Sequence, residues 1–482
     1  MIREFMSRLL LLLVAASFTS IAFAVQTTTT VSVQPATAEL GSPVVLTAIV
    51  TPSPGTGRVT FTERSIIIGS ASISFDAASG TSKATYLASN LLPGSHWIKA
   101  RFVGTAGFDS SLSSEIEAQV WSVPESRLEL GTQFPNGVQA VSDFNNDGKL
   151  DVAGWNANFG SATGIFIAYG NGDGTFQPPV KVFSCPAQDC PRITAVADLR
   201  AIGRVDLIVQ EVDNPICAPT CGDPQTFILT FLLNNGDGTF TEGTDRFVGV
   251  DDYNDAIIAD FNRDGIPDLF GPGGLALGNG DGTFRHPPFS TIDPYGLVGD
   301  FNRDGKLDYL QVAPYPGSEN TGPIQLYLGN GDGTFQPAVV IGETYCLPPF
   351  VGSYCSPVTA FDFNRDGKLD VVYQDSAVTS AILLGKGDGT FSKGTSFNVG
   401  AALSGENEYG VVDLNGDGKP DLISYNAAQA GIFYGNGDGT FGPFTIVPEL
   451  LGAQFFGSFD LDGRVDTISS TEIGSTLYLG AK

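Results

Sequence analysis

The sequence is poor in several residue types, and each shortage excludes a class of function. It has only two histidines, His96 and His286, among 482 residues. Neither G-x-S-x-G nor H-E-x-x-H occurs, so the motifs of triad hydrolases and zinc proteases are absent. Lysine and arginine total 25 against 52 aspartates and glutamates, and the net charge of -27 disfavours nucleic acid and anionic membranes as partners. With 60 glycines and 29 prolines, the composition also disfavours long helices.

An apolar run long enough to cross a membrane is lacking as well. Arg3 and Arg8 precede an apolar stretch at 9–16, and the AFA at 22–24 has the small-x-small pattern of secretory cleavage. Serine and threonine interrupt the apolar stretch, which falls short of the ~20 residues of a membrane span. We therefore predict a signal peptide at residues 1–24 and an exported protein that is secreted, periplasmic or bound at the cell surface.

Cysteine is scarce, and the six cysteines fall in close pairs. An even number suits an oxidising compartment, and the spacing matches no usual zinc site. We expect disulfides, with three local pairs as the simplest connectivity and metal ligation as the alternative. The pairs are Cys185 and Cys190, Cys217 and Cys221, and Cys346 and Cys355.

Residues 25–121 are rich in threonine, serine, valine and alanine, in alternating stretches such as VVLTAIV and RVTFTE. Alternation bounded by turn residues predicts a small β-sandwich. The order GSPVVLTAIV, GTGRVTF and LLPGSHWIKARFVGTAGFDSS resembles the bacterial immunoglobulin-like repeats of secreted and surface proteins. For His96, which lies here beside Trp97, we expect a structural role. Residues 122–125 then form a linker.

The remaining residues, 126–482, form a repeat region. Three kinds of strand recur seven times each, as in QAVSDF, DVAGW and GIFIAYG, and a fourth kind follows a GNGDGTF-like turn six times. The segment SRLELGTQF at 126–134 resembles the missing fourth strand, so we expect it to pair into the last set and close a ring. The prediction is an all-β protein with a seven-bladed β-propeller after the sandwich, and a solenoid is the alternative.

Between the first and second strands lies a nine-residue loop of pattern D-x-N-x-D-G-x-x-D, intact five times. Oxygens of side chains 1, 3, 5 and 9 and of carbonyl 7 suit a hard cation, and glycine at position 6 permits the sharp turn. Because three carboxylates this close repel one another, the loops predict five strong Ca²⁺ sites. Their ligands would be Asp143, Asn145, Asp147, Lys149 and Asp151; Asp260, Asn262, Asp264, Ile266 and Asp268; Asp300, Asn302, Asp304, Lys306 and Asp308; Asp362, Asn364, Asp366, Lys368 and Asp370; and Asp413, Asn415, Asp417, Lys419 and Asp421.

Two loops depart from the pattern. The second repeat keeps Asp198 and Asp206 but has Arg200 and Ile202 at positions 3 and 5. No cation is expected there, and the guanidinium is a candidate to neutralise the two aspartates. The last repeat has serine at position 1 and predicts a sixth, weaker site, formed by Ser458, Asp460, Asp462, Arg464 through its carbonyl, and Asp466.

Two other interpretations of these loops were weighed. An EF-hand requires glutamate at position 12, and none of the five intact loops has it. A plain acidic turn remains as the alternative, because aspartate, asparagine and glycine favour turns. Fixed spacing over five loops favours the cation site.

The combination of DFNxDGxxD with GNGDGTF over residues 126–482 resembles the FG-GAP or VCBS repeats, whose calcium loops also occur in the propeller of integrin α chains. The resemblance implies a calcium-braced propeller for adhesion, with ligands bound on the face opposite the calcium loops. Aromatic residues in the loops of that face suit stacking on sugars or contacts with a protein. They are Trp155, Tyr253, Tyr295, Tyr315, Tyr345, Tyr354, Tyr373 and Tyr425.

We therefore expect a monomeric, exported, calcium-stabilised adhesion protein that recognises an extracellular glycan or protein and does not insert into membranes. No catalytic residue or organic cofactor is indicated. Two alternatives stay open, namely a structural surface spacer and a polysaccharide lyase or glycosidase that uses acids near the ligand face. The candidate acids are Glu211, Asp213, Asp251, Asp252, Asp375, Glu406 and Glu408.

Overall fold

The computed structural model describes residues 24–105, 107–125, 127–134, 137–156, 164–184, 192–213, 226–249, 256–271, 274–285, 296–312, 321–345, 358–399, 408–425, 429–471 and 474–481. All six cysteines and all but the last residue of the predicted signal peptide lie outside these ranges. The described chain is all-β apart from a short 3-10 helix at Pro448–Leu450. None of its helices has the length and apolarity that a membrane span requires.

Ten strands form the N-terminal sandwich. One sheet has the order β1-β3-β7-β6, and the other has the order β2-β10-β8-β4-β5 with β9 beside β8. Alternate residues of β3 are buried, as the sequence pattern predicts, and they share one core with the facing sheet. The strands are β1 (Thr28–Gln34), β2 (Thr37–Glu39), β3 (Val44–Thr51), β4 (Arg58–Glu63), β5 (Ile66–Ser72), β6 (Ser74–Asp76), β7 (Thr81–Ala88), β8 (Gly94–Val103), β9 (Ser111–Leu112) and β10 (Ile116–Trp121).

The repeat region forms seven four-stranded antiparallel sheets, named sheet 1 to sheet 7 in chain order. In sheets 1 to 6 the four strands are consecutive in sequence. Sheet 1 contains β12 (Val138–Ser142), β13 (Asp151–Asn156), β14 (Gly164–Ala168) and β15 (Val180–Ser184), and sheet 2 contains β16 (Arg192–Ala197), β17 (Asp206–Asp213), β18 (Thr226–Asn234) and β19 (Phe240–Gly249). Sheet 3 contains β20 (Ile257–Ala259), β21 (Asp268–Gly271), β22 (Gly274–Gly278) and β23 (Phe284–Arg285), and sheet 4 contains β24 (Gly296–Gly299), β25 (Asp308–Val312), β26 (Thr321–Tyr327) and β27 (Val339–Tyr345). Sheet 5 contains β28 (Thr359–Phe361), β29 (Asp370–Ser376), β30 (Thr379–Gly385) and β31 (Phe391–Asn398), and sheet 6 contains β32 (Glu408–Val412), β33 (Asp421–Tyr425), β34 (Ala430–Phe433) and β35 (Thr445–Ile446).

Sheet 7 combines the two ends of the repeat region. Its strands are β11 (Arg127–Phe134), β38 (Gly474–Ala481), β37 (Asp466–Thr471) and β36 (Ala453–Gly457), in that spatial order. The predicted pairing of segment 126–134 with the last set of strands is thus confirmed. Because β11 pairs along β38, it covers an edge that would otherwise expose unpaired backbone groups.

Each sheet packs on the next, and sheet 7 packs on sheet 1. Val152 of sheet 1 belongs to the same buried cluster as Ile468 and Leu477 of sheet 7. A backbone bond joins the same two sheets, since the N–H of Gly174 donates to the carbonyl of Phe459 at 3.1 Å. Clusters of the same kind join the other neighbours, so the packing order runs from sheet 1 to sheet 7 and returns to sheet 1.

Both ring nitrogens of His96 lie within hydrogen-bond distance of acceptor groups of the sandwich. Its Nδ1 lies 2.8 Å from Oε2 of Glu63, and its Nε2 lies 2.6 Å from the carbonyl oxygen of Leu92. Both neighbours are acceptors, so only the protonated ring satisfies both. Burial opposes the charged ring, but the hydrogen bond and charge of Glu63 outweigh it and raise the pKa of His96 above its ordinary value.

This pair makes the stability of the N-terminal sandwich depend on pH. Because the folded-state pKa of His96 is raised, its contribution is complete below the unfolded value of about 6.5 and is lost as pH rises through the folded-state pKa. We expect His96→Gln to lower the free energy of unfolding by about 1 to 2 kcal/mol at pH 6 and by less at pH 8.5. Denaturant unfolding at both pH values measures this. An equal loss at the two pH values would contradict it.

Candidate functional site

The seven loops between the first and second strands, named loop 1 to loop 7 after their sheets, share one backbone shape. In loop 4, Arg303 at position 4 has φ 59° and Gly305 at position 6 has φ 81°. Residues other than glycine rarely adopt the backbone conformation of Gly305, which explains the recurring glycine at position 6. Positive φ values recur at Asn146 and Gly148, Ala201 and Gly203, Arg263 and Gly265, Arg365 and Gly367, Gly416 and Gly418, and Leu461 and Gly463.

In each intact loop, the side chains at positions 1 and 3 accept hydrogen bonds from one backbone N–H group, that of position 5. In loop 4, the N–H of Asp304 donates to Oδ1 of Asp300 at 3.0 Å and to Oδ1 of Asn302 at 2.9 Å. The N–H of Gly305 donates to Oδ2 of Asp300 at 2.9 Å. Loops 1, 3, 5 and 6 have the same bonds. Positions 1, 3 and 5 therefore surround one turn.

The aspartate at position 9 has a second role that the sequence analysis missed. In loop 4, Oδ2 of Asp308 accepts the N–H of Phe301 at 2.9 Å, and Oδ1 accepts the N–H of Gly329, after the third strand, at 2.9 Å. This side chain is fully buried and ties the loop to its sheet. The signal lay in the sequence, because all seven repeats keep this aspartate, as Asp151, Asp206, Asp268, Asp308, Asp370, Asp421 and Asp466, each at 0% exposure.

The buried aspartates at position 9 of the loops have raised pKa values. Burial raises the pKa of the position 9 aspartates, and the charges at positions 1 and 5 raise it further, against N–H bonds that lower it. Lys306 at position 7 pairs with Asp304 at 2.9 Å, but on the exposed side of the loop. The pKa values reach about 8 for Asp268 and Asp466, about 7 for Asp151, Asp308 and Asp421, and about 6 for Asp370.

The donor set of the intact loops fits a hard cation. Within the described ranges, no three histidine, cysteine, aspartate or glutamate side chains converge closely enough to hold a metal ion as they stand. The loop oxygens instead accept backbone N–H groups. A carboxylate oxygen keeps a second lone pair after such a bond, and three carboxylates with an amide and a carbonyl oxygen match the preferences of Ca²⁺. The residues present therefore suit calcium by chemistry and by charge.

Loop 2 has the same backbone without the ligand set, and a guanidinium takes the interior. Nη2 of Arg200 lies 2.7 Å from Oδ1 of Asp206 and also donates to the carbonyl of Asn234. The expected neutralisation is thus present at Asp206. Asp198 accepts the N–H of Gly203 at 2.6 Å and the hydroxyl of Ser70. The guanidinium of Arg200 therefore places a positive charge inside loop 2, where the five intact loops have carboxylates and an amide.

Removing this internal cation should destabilise the repeat region. Arg200→Met leaves Asp206 buried without its counter-charge, so we expect the free energy of unfolding to fall by about 3 to 5 kcal/mol. Arg204→Met is the matched control, because Arg204 in the same loop bonds the carbonyl of Asn235 at 2.6 Å rather than a buried carboxylate, and this variant should lose about 1 kcal/mol. Urea unfolding compares the two. Equal losses would contradict the charge argument.

The N-terminal sandwich and the linker lie on these loops. Sequence reasoning missed this contact, although Arg58, Arg64, Lys99 and Arg101 cluster on or beside strands β4 and β8. The shared feature of the contacts is that a sandwich or linker group meets a loop carboxylate or carbonyl. They are Thr60 Oγ1 to the carbonyl of Gly265 at 2.8 Å, Ser89 Oγ to Asp143 at 3.5 Å, Arg64 to Asp362 at 3.6 Å, Ser122 Oγ to the carbonyl of Asp413 at 3.3 Å, the N–H of Val123 to the carbonyl of Gly463 at 2.7 Å, Arg58 to the carbonyl of Arg200, and Ser70 to Asp198.

A cavity of about 980 Å³ remains between the sandwich and loops 4 to 6. Its walls include Trp97 and Lys99 of the sandwich and Asp300, Asp362 and Asp413 of the loops. Three position 1 aspartates therefore line a space large enough for water and ions.

The predicted ligand face lies mostly outside the described residues. Tyr253, Tyr295, Tyr315, Tyr354, Asp251, Asp252 and Glu406 lie outside the described residues, as does His286. Of Trp155, Glu211, Asp213 and Glu408 the structure describes the backbone alone. Tyr373 is buried between sheets 4 and 5, so as it stands it is a core residue rather than a ligand contact. Tyr345 and Tyr425 are half-buried. Asp375 accepts hydroxyls from Thr379 and Ser396, which gives it a structural role.

Comparison with protein families identifies both parts of the chain. Residues 19–121 match the bacterial Ig-like domain (group 3), and residues 300–373 and 362–424 match the FG-GAP-like repeat. The chain therefore contains a bacterial Ig-like domain and FG-GAP-like repeats. Residues 425–447 match the S-layer homology domain, and this segment comprises β34, the GNGDGTF turn and β35 of sheet 6. No curated protein matches the chain.

Several solved structures are similar over most of the chain at low identity. A lectin from Agrocybe aegerita, solved for its recognition of non-reducing terminal N-acetylglucosamine, is 21% identical over 84% of this chain and 96% of its own, with a TM-score of 0.46. The Photorhabdus luminescens Tc holotoxin pore is 15% identical over 90% of this chain and 25% of its own, with a TM-score of 0.34. The Vibrio cholerae biofilm matrix protein Bap1 is 11% identical over 92% of this chain and 88% of its own, with a TM-score of 0.27. TM-scores below 0.5 do not define a common fold.

Proposed function

We propose that the chain is an exported binding or adhesion protein, built as a calcium-stabilised seven-bladed β-propeller whose ion-loop face is covered by its own Ig-like domain. The observation that carries the proposal is the contact of the N-terminal sandwich with the loops. It leaves the opposite face of the sheets for a partner. The FG-GAP-like repeats and the S-layer homology match suggest a β-rich protein of the cell surface or extracellular space.

The propeller arrangement is supported by the order in which the sheets pack. Seven four-stranded sheets follow one another, and the last packs on the first through β11, β37 and β38. A solenoid would leave its first and last sheets apart. Strand β11 supplies the fourth strand of sheet 7, which is how a propeller joins its two chain ends.

Calcium is supported by the donor set and the charge of the loops. Five or six Ca²⁺ ions would offset about 10 to 12 units of the net charge of -27. In each intact loop, positions 1, 3, 5 and 9 would hold the ion together with the carbonyl of position 7. The ion's role would be to brace the loop against its sheet and against the sandwich.

Chelation tests this proposal on the wild-type chain. With each ion contributing about 2.7 kcal/mol at a hundredfold excess over its Kd, calcium removal should lower the melting temperature of the repeat region far more than that of the sandwich. Calorimetry with and without chelator follows both transitions, and elemental analysis of the calcium-loaded protein counts the ions. Unchanged melting after complete metal removal would refute the calcium assignment.

A single-loop variant tests whether the sites are independent. Asp304→Ala should remove one bound ion and leave the others, because each site is built within one repeat. Asp332→Ala is the control, since Asp332 is an exposed acid of the same sheet that bonds Thr334 in the GNGDGTF turn. It should keep the full count. Loss of several ions from Asp304→Ala would contradict independence.

The binding function is tested with calcium-loaded protein and a panel of insoluble polysaccharides, matrix proteins and whole cells. We expect protein in the pellet without release of sugar. Sugar release that disappears when an acid such as Glu211 or Glu408 is replaced would instead identify a polysaccharide-degrading enzyme. Absence of binding to every member of the panel would favour a structural spacer.

A further inference from the structure

The cavity between the N-terminal sandwich and loops 4 to 6 has a tryptophan in its wall. Side chains alternate along β8, and Ile98 and Ala100 are fully buried in the sandwich core, so Trp97 points the other way, toward the loops. Its side chain is half-buried. Its indole N–H has no hydrogen-bond partner among the described residues, and its ring stacks on none of their aromatic rings. A tryptophan at such a depth usually pairs its N–H, so this one offers both a ring face and a donor to a ligand.

A carboxylate lies beside this tryptophan. Glu117 of β10 is the register partner of Trp97, and residues directly opposite each other on an antiparallel pair share one face of the sheet. Glu117 is exposed, and its carboxylate accepts no hydrogen bond from the part of the chain that the structure describes. Two residues along β8, Lys99 pairs with Glu115 at 3.5 Å. The sandwich wall therefore presents a ring face, a free acceptor and an ammonium group.

The opposite wall carries guanidinium groups from loops 4 and 5. Arg303 and Arg365 line the cavity, and their guanidinium groups form neither a hydrogen bond nor an ion pair with a described residue. Their stems nevertheless pack on turns of the neighbouring sheets. A Cβ on Gly387 would lie 3.1 Å from Cδ of Arg303, and one on Gly437 would lie 3.5 Å from Cδ of Arg365. This packing limits how far the two donors can move from the cavity.

The charges of the lining decide the class of ligand. Five lysine and arginine residues and seven aspartate and glutamate residues line the cavity, so neither a polyanion nor a polycation is favoured. Hydroxyl groups suit this mixture, because each hydroxyl can donate to a carboxylate and accept from a guanidinium. The apolar face of a sugar ring also suits stacking on an indole ring. These features together favour a neutral saccharide.

The cavity also has the size and the place of a ligand site. Its volume of about 980 Å³ lies within the roughly 300 to 1,000 Å³ of ligand pockets, which occur preferentially at domain interfaces. Arg64 of the sandwich lies 5.3 Å from the ring centroid of Phe361 and 3.6 Å from Asp362 in loop 5. The two walls are therefore joined beside the cavity, and a ligand would find it preformed.

We propose that this cavity binds a short neutral saccharide, with Trp97 as the stacking surface, Glu117 as an acceptor and the arginines at position 4 of loops 4 and 5 as donors. The site lies on the loop side of the sheets, so it goes beyond the proposed function, which assigns a partner to the opposite face. None of these four residues is a proposed calcium ligand. Because the sandwich supplies Trp97 and Glu117 and the repeat region supplies Arg303 and Arg365, neither domain forms the site alone.

The first test measures saccharide affinity of the full mature chain by titration calorimetry. The probes are neutral disaccharides and tetrasaccharides of glucose, mannose, galactose or N-acetylhexosamine, with uronic acid oligomers of the same lengths for comparison. We expect a neutral saccharide to bind and Trp97→Ala to raise its Kd about tenfold or more. Trp121→Ala is the matched control, since Trp121 lies on the same sheet, outside the cavity, and is 43% exposed, so its Kd should equal that of the wild type.

Three results would overturn the proposal. They are no binding of any neutral saccharide, tighter binding of the uronic acid oligomers, and a Kd that Trp97→Ala leaves unchanged. In the third case the saccharide binds elsewhere, and the proposed function of the opposite face is unaffected. Failure of the chain to pellet with any surface or matrix, together with a saccharide affinity that depends on Trp97, would overturn only the proposed function.

The second test uses a substitution that leaves the core untouched. Glu117→Gln removes an exposed charge and weakens one acceptor, so it should raise the Kd by about three- to tenfold without changing the melting temperature. Glu129→Gln is the control, because Glu129 is an exposed glutamate of β11 that pairs with Arg127 outside the cavity. Equal affinities of the two variants would contradict the role of Glu117.

Discussion

Seven aspartates, one in each repeat, lie fully buried, and each accepts a backbone N–H group at the end of the third strand. Six of them also accept a backbone N–H group of the loop before them, and the seventh, Asp206, bonds Arg200 instead. Such a side chain fixes the loop to the sheet, but it also places a negative charge where water does not reach. Loop 2 offsets this charge with the guanidinium of Arg200. The other loops contain a set of oxygen atoms that suits a cation.

The N-terminal sandwich contacts the same loops through other groups, namely position 1 carboxylates and loop carbonyls. Its cationic and hydroxyl side chains meet loop carboxylates and carbonyls, as Arg64 does at Asp362 and Thr60 at Gly265. Carbonyls inside the loops point toward the sandwich only while the loops keep their folded shape. Loop charge, loop shape and domain contact are therefore parts of one arrangement.

Chain connectivity brings the ends of the repeat region to the same place. Strand β11 completes sheet 7, and sheet 7 packs on sheet 1, so the linker that precedes β11 also runs beside the last loop. Glu125 of this linker therefore lies beside Gly480 of β38 and Arg464 of loop 7. A residue that sequence places between two domains becomes a neighbour of residues near the end of the chain.

Much of this protein is local in origin and was predictable from sequence. Alternating apolar residues, GNGDGTF turns and the DxNxDG pattern specify strands, hairpins and loops over a few residues, and strand character was enough to pair segment 126–134 with the last set. Tertiary structure alone decided the rest. Thr60 and Gly265 are 205 residues apart in sequence, and no local pattern marks them as partners. The burial of Tyr373 and the bridging by Asp308 likewise depend on neighbouring strands, because burial and hydrogen-bond partners are properties of packed surfaces rather than of short segments.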